Sequence, residues 1–73
     1  MGKRIVTLTN RVRELRAEAG GMTQQQLADL VGVTRQTVNA IEANKYSPSL
    51  EVAFLIAQSL NARLEEVFGL SER

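Results

Sequence analysis

Neither cysteine nor histidine occurs among the 73 residues, and proline occurs once. Disulfide frameworks, zinc sites of Cys/His type, thiol nucleophiles and imidazole general bases are thereby excluded, and no metal or cofactor is expected. No apolar run approaches the roughly 18 residues of a membrane span, and the N-terminus has neither a secretory apolar region nor a cleavage site. A cytoplasmic location is expected. So short a chain makes one domain at most and buries a limited share of its surface, so that a native state either marginal or shared with a second copy is expected.

An excess of charge of one sign is lacking too, since the net is +1. That small number hides a polarity along the chain. Residues 1–46 carry seven cations (Lys3, Arg4, Arg11, Arg13, Arg16, Arg35, Lys45) against four anions (Glu14, Glu18, Asp29, Glu42), and residues 47–73 carry two (Arg63, Arg73) against four (Glu51, Glu65, Glu66, Glu72). The first part is basic by +3 and the second acidic by −2. Charge alone argues for an ordinary solvated surface, because a nucleic-acid footprint is normally far more basic.

What the chain does have is helical rhythm. From Asn10 to Ala19, Val12, Leu15 and Ala19 form one apolar stripe between Arg and Glu, with Thr9 or Asn10 as N-cap and Gly20 and Gly21 as terminators. A second helix opens on the capping box Thr23/Gln26, presents Leu27, Leu30 and Val31 inward, and stops at Gly32. A third is capped by Thr34, turns Val38 and Ile41 inward, and closes near Ala43 with Asn44 in a left-handed position. Ser47, Pro48 and Ser49 restart the chain, with Ser47 or Ser49 as cap. The fourth helix, Leu50 to Leu60, is apolar nearly all round, the pattern of a helix buried by several neighbours. Asn61 ends it, and a short fifth helix holds Leu64, Val67 and Phe68. The expected fold class is all-α, with residues 1–9 as an extension, 10–70 as the helical domain and 71–73 as a frayed tail.

The second and third helices are joined by Gly32, Val33 and Thr34, with Ala28 small where their axes would approach, and Leu27, Val31, Val33, Val38 and Ile41 in register for one interior. On these residues, and above all on "GVTRQTVNAIEANKYSPSL" from Gly32 to Leu50, the segment Gln24–Ala43 resembles the helix-turn-helix of lambda-repressor/Cro type (XRE-like) regulators. The likeness covers roughly residues 10–69. It implies a five-helix DNA-binding domain and a partly buried ion pair between Arg16 and Glu42. The chain departs from the family in the extra glycine of "AGGMT", in Asn44 and Asn61 where glycine is common, in apolar Leu55, and in the leading "KRIVTLT".

On the third helix, the side opposite Val38 and Ile41 carries Gln36, Asn39, Ala40 and Ala43, with Arg35 on the shoulder. Base edges in the major groove offer donors and acceptors rather than net charge, so amides and one guanidinium suit a reader of sequence. Arg35, Gln36, Asn39 and Thr37 are the candidate base readers. Gln24, at the positive end of the second helix and at a position where the resemblance implies a backbone contact, is a candidate phosphate contact with Thr34, and the resemblance implies another at the loop position of Lys45, where Tyr46 could add its hydroxyl. Gln25 faces solvent, Tyr46 has the alternative of packing on Pro48, and Arg11 and Arg13 read as surface cations able to add nonspecific attraction.

Residues 3–9 have the β-branched composition of a strand. They could pair with a second chain, send Lys3 and Arg4 along a groove as an arm, or fray. Ile5, Val6, Leu55, Val52 and Phe54 are the dimer candidates, with Val67, Phe68 and Leu70 adding apolar surface. The sequence thus reads as a regulator, and a repressor, that binds double-stranded DNA as a homodimer on a palindrome. Two rivals are an antitoxin that holds a toxin protein and a bridging module of the same fold that reads no bases. An enzyme is not expected, because Glu65 and Glu66 point to different sides of a helix and no nucleophile or base constellation remains.

Overall fold

The computed structural model describes residues 4–72. Its elements run β1 (Val6–Asn10), α1 (Val12–Glu18), α2 (Gln24–Val31), α3 (Arg35–Glu42), α4 (Leu50–Ser59), α5 (Leu64–Val67) and β2 (Phe68–Glu72). Five helices surround one core, and a two-stranded sheet joins the two ends of the described chain. No helix of the described residues is long and apolar enough to cross a membrane.

Local chemistry explains most helix boundaries. Thr23 and Gln26 form the capping box, with the Gln26 N–H donating to Thr23 Oγ1 at 3.0 Å and the Thr23 N–H to Gln26 Oε1 at 2.9 Å. Thr34 caps α3 and Ser49 caps α4 by accepting the N–H three residues on. At the other ends, Asn44 (φ 59°) and Asn61 (φ 53°) are left-handed. Each closes a Schellman turn: Lys45 N–H donates to Ala40 O and Asn44 N–H to Ile41 O, as Ala62 N–H does to Ala57 O and Asn61 N–H to Gln58 O.

Helix α1 begins later than its sequence suggests. Thr9 and Asn10 belong to β1, the residue before the helix is Arg11, and Asn10 instead accepts the Val12 N–H on its Oδ1 at 3.1 Å. Strand pairing takes precedence over helix entry here. Of the expected stripe, Val12 is fully buried, Leu15 half-buried and Ala19 exposed.

The core is built from Val12, Leu27, Ala28, Val31, Val38, Ile41, Ile56, Ala57, Leu60 and Val67. Leu30 is not part of it, being 62% exposed, because the inward stripe of α2 is Leu27, Ala28 and Val31. Helix α4 also departs from expectation. It turns Ala53, Ile56 and Ala57 inward against α2 and α5, but Leu50, Phe54 and Leu55 stay exposed. Its neighbours cover one side, so an apolar sequence is left with an apolar outer face.

The sheet corrects the reading of both ends. Strand β1 pairs antiparallel with β2 of the same chain, in the register Val6↔Glu72, Leu8↔Leu70 and Asn10↔Phe68. The segment is therefore paired within its own chain and is not a frayed end, and Ser71 and Glu72 are in a ladder rather than in a frayed tail. The Arg11 N–H continues the pairing by donating to Val67 O at 2.8 Å. Arg4 is not an arm: its Nε and Nη2 donate to the Glu72 carboxylate at 2.7 and 3.0 Å, which holds the guanidinium above its ordinary pKa. Lys3 and Arg73 lie outside the described residues.

Candidate nucleic-acid interface

Val38 and Ile41 anchor α3 to the core at 1% and 2% exposure, which fixes the rotation of the helix. The side chains that rotation sends to solvent are Arg35, Gln36, Asn39 and, at the C-cap, Ala43. Thr37 and Ala40 are half-buried at the edge of this face. Thr34 Oγ1 accepts the Thr37 N–H at 3.1 Å, and the two hydroxyls lie 3.0 Å apart. The first-turn N–H groups of Arg35 and Gln36 have no partner within a helix, and the same geometry leaves those of Gln24 and Gln25 at the start of α2. Two positive helix ends thus flank the exposed amides.

Beneath this face lies an ion pair. Arg16 Nε and Nη2 donate to Glu42 Oε2 and Oε1 at 2.7 and 3.0 Å, and Arg16 Nη1 donates to Met22 O at 2.7 Å. The side chains are 14% and 7% exposed. A bidentate pair this enclosed ties α1 to α3 and to the loop before α2, and no buried side-chain polar atom among the described residues lacks a partner. Gln24 joins the network: its Nε2 donates to Glu42 Oε1 at 3.0 Å and to Asn39 Oδ1 at 3.3 Å. Its amide hydrogens are turned toward α3. Arg13, Arg16, Gln24, Asn39, Glu42 and Ala43 line a shallow polar recess at this junction.

The remaining sequence candidates sit around the rim. Lys45 follows the left-handed Asn44 and is exposed, and Tyr46 is exposed beside it. Gln25 is exposed, its amide donating to Asp29 at 2.8 Å. Among the described residues Arg13, Arg35 and Lys45 enter no ion pair, whereas Arg11 lies near Glu14 and Glu18 and Arg63 near Glu65. The unpaired cations therefore lie on the α1–α3 half, which gives the charge polarity of the sequence a spatial meaning. Of the dimer candidates, Ile5, Val6, Phe54 and Leu55 are exposed, while Val52 is half-buried against the core.

Two residues matter more than their sequence context signalled. Arg13, read as a surface cation, stands at the polar recess. Asn10 holds the end of α3: its Nδ2 donates to Ile41 O at 3.0 Å and to Asn44 Oδ1 at 2.9 Å. It links the sheet to the turn that carries Lys45. No local pattern marks such a contact, because its partners lie 31 and 34 residues away.

Comparison with known proteins agrees with this geometry. A helix-turn-helix family model matches residues 12–71. An uncharacterized HTH-type transcriptional regulator of Archaeoglobus fulgidus is 49% identical over 61 residues, covering 84% of this chain and 86% of its own. The uncharacterized HTH-type transcriptional regulator YgzD of Bacillus subtilis is 48% identical over 65 residues, covering 89% of this chain and 97% of its own. A crystal structure of a protein from Bacteroides fragilis, assigned as DNA-binding, superposes with a TM-score of 0.77 at 27% identity, covering 86% of this chain and all of the other. The chain belongs to the XRE-type helix-turn-helix family of DNA-binding transcriptional regulators, which are not enzymes.

Proposed function

We propose that the protein is a sequence-specific repressor that binds double-stranded DNA as a homodimer, laying α3 in the major groove of each half of a palindromic operator. The observation that carries this reading is the outward face of α3, where Arg35, Gln36 and Asn39 are exposed on a helix locked by Val38 and Ile41. Residues near the N-terminus of a recognition helix reach base edges, and one good bidentate pair discriminates by roughly 1–3 kcal/mol. Thr37 contributes least of the four base readers, since its hydroxyl already meets Thr34. Phosphates fit at the N-terminus of α2, at Thr34 and at Lys45 and Tyr46. At Gln24 the donor is the backbone N–H, because the side-chain hydrogens are turned toward Glu42 and Asn39.

The homodimer rests on a second, apolar face. Leu50 and Leu70 are 65% and 67% exposed, and with Leu8, Pro48, Leu64 and Phe68 they border an apolar groove of about 570 Å³. Phe54 and Leu55 extend the patch along α4. A face of this kind is suited to a two-fold contact, which would place two recognition helices about 34 Å, or ~10 base pairs, apart. Selection from random duplex DNA at stated salt tests the reading. A two-fold symmetric site should be enriched, and sedimentation equilibrium should give a concentration-dependent dimer. Absence of any enriched site overturns the DNA reading. A monomer at all concentrations overturns the homodimer and assigns the apolar face to a different protein, as an antitoxin would use it.

A further inference from the structure

We infer that Gln24 is a positioning residue that fixes the amide of Asn39 with its NH2 group leading, so that Asn39 reads a hydrogen-bond acceptor on a base. This rests on the DNA-binding reading above and names the edge chemistry of one of its contacts.

The polarity begins at Glu42. A carboxylate only accepts, and both of its oxygens are engaged by Arg16. The Gln24 side chain therefore meets Glu42 Oε1 with its NH2 end, at 3.0 Å, since the reverse orientation would set carbonyl oxygen against carboxylate. The second hydrogen of that NH2 group is directed to Asn39, at 3.3 Å, and only an oxygen accepts it. Asn39 Oδ1 thus faces α2, and Asn39 Nδ2 has no hydrogen-bond partner among the described residues. Each link is set by the one before it, from a nearly enclosed ion pair to an exposed amide on the recognition face.

An asparagine free to rotate can present either end of its amide or pair both ways with adenine. Held by Gln24, Asn39 leads with its NH2 group, while its oxygen, one lone pair of which accepts from Gln24, is turned toward α2. The major-groove atoms that accept from it are guanine N7 and O6, adenine N7 and thymine O4. Cytosine, whose groove edge is a donor, is the base it rejects.

The experiment selects sites from random duplex DNA with the full chain and with Asn39→Ala, Asn39→Asp and Gln24→Ala, expressing each affinity relative to nonspecific DNA at the same salt. Asn39 is exposed and Gln24 half-exposed, and thermal melting establishes that each variant folds. Asn39→Ala should abolish the preference at one base pair per half-site, which locates the contact. Asn39→Asp keeps an acceptor for Gln24 but offers no hydrogen outward, so it should lose about tenfold in discrimination at that pair or invert it toward cytosine. Gln24→Ala should relax the same pair severalfold while changing discrimination elsewhere less than about twofold, because the amide can then turn over.

Retention of the wild-type base by Asn39→Asp would overturn the inference, as would an unchanged pair in Gln24→Ala or an Asn39→Ala variant with no altered position. A Gln24→Ala variant weakened evenly at every position would make Gln24 a phosphate or stability residue and overturn its positioning role. If the unaltered chain enriches no site, the DNA reading itself fails, and this inference with it.

Discussion

Helices α3 and α4 follow one another in the chain, and both are anchored by apolar residues, yet they meet solvent with opposite chemistry. Helix α3 turns Arg35, Gln36 and Asn39 outward, and α4 turns Leu50, Phe54 and Leu55 outward. An exposed amide or guanidinium gives up its water only where matching donors and acceptors replace it, and an exposed leucine or phenylalanine gains by burial against anything apolar. The first face selects a patterned polar partner and the second selects a shape. One small domain can therefore serve two partners without either competing for the same residues.

The inner side of each helix should carry the largest stability effects. Ile56, fully buried on the inner side of α4, should be the most costly. Ile56→Ala is expected to remove about 4 kcal/mol of unfolding free energy, measured by urea denaturation. On the inner side of α3, Glu42→Ala leaves the enclosed Arg16 guanidinium without its carboxylate and should cost about 3 kcal/mol in the same assay. A loss below about 1 kcal/mol would mean that water reaches Arg16 freely.

At the surface the two helices should separate by assay. Gln36→Ala should leave stability within about 0.5 kcal/mol of the parent while lowering discrimination at its base pair by roughly 1–3 kcal/mol in competition binding. Phe54→Ser should leave nonspecific DNA affinity unchanged and weaken self-association by about tenfold in sedimentation equilibrium, equivalent to about 1.4 kcal/mol. Exchange of these phenotypes between the two variants would reverse the assignment of faces.

The smallest effects compare the two left-handed asparagines. Asn61→Gly should be neutral or stabilise by a few tenths of a kcal/mol, since glycine adopts that conformation without strain. Asn44→Gly has the same backbone advantage but loses the hydrogen bond that Asn44 Oδ1 accepts from Asn10. It should come out destabilising by about 0.5 kcal/mol, with thermal melting as the readout.

These contrasts also show where the sequence was legible. Thr23 with Gln26, Thr34, Gly32, Asn44 and Asn61 announce helix ends because capping is settled within four or five residues. The inward rotation of α3 was equally plain from Val38 and Ile41. What escaped was settled by distant partners. Strand β2 follows directly on α5, and its Gly69 and Ser71 have low β-propensity, so only the alternation of Phe68 and Leu70 hinted at a strand. Its partner sits at the other end of the chain, opposite Leu8 and Asn10. The exposure of Leu30 and Phe54 was hidden for a related reason, since an apolar residue says that burial is favourable but not whether a neighbour exists to supply it. The network through Gln24 could be seen only in part, because Arg16 and Glu42 stand out as a pair and the amides joining them to Asn39 do not.

The pairing of β1 with β2 has a consequence for biogenesis. Emerging from the ribosome, Val6–Asn10 must wait until Phe68–Glu72 has been synthesised before its backbone is satisfied, although every helix is complete by then. During that interval the nascent chain carries an unpaired β-edge, the template on which unfinished polypeptides stick to one another. Truncation within Phe68–Glu72 should therefore yield a helical product that aggregates, so the second strand acts as a release step in manufacture as much as a part of the finished molecule.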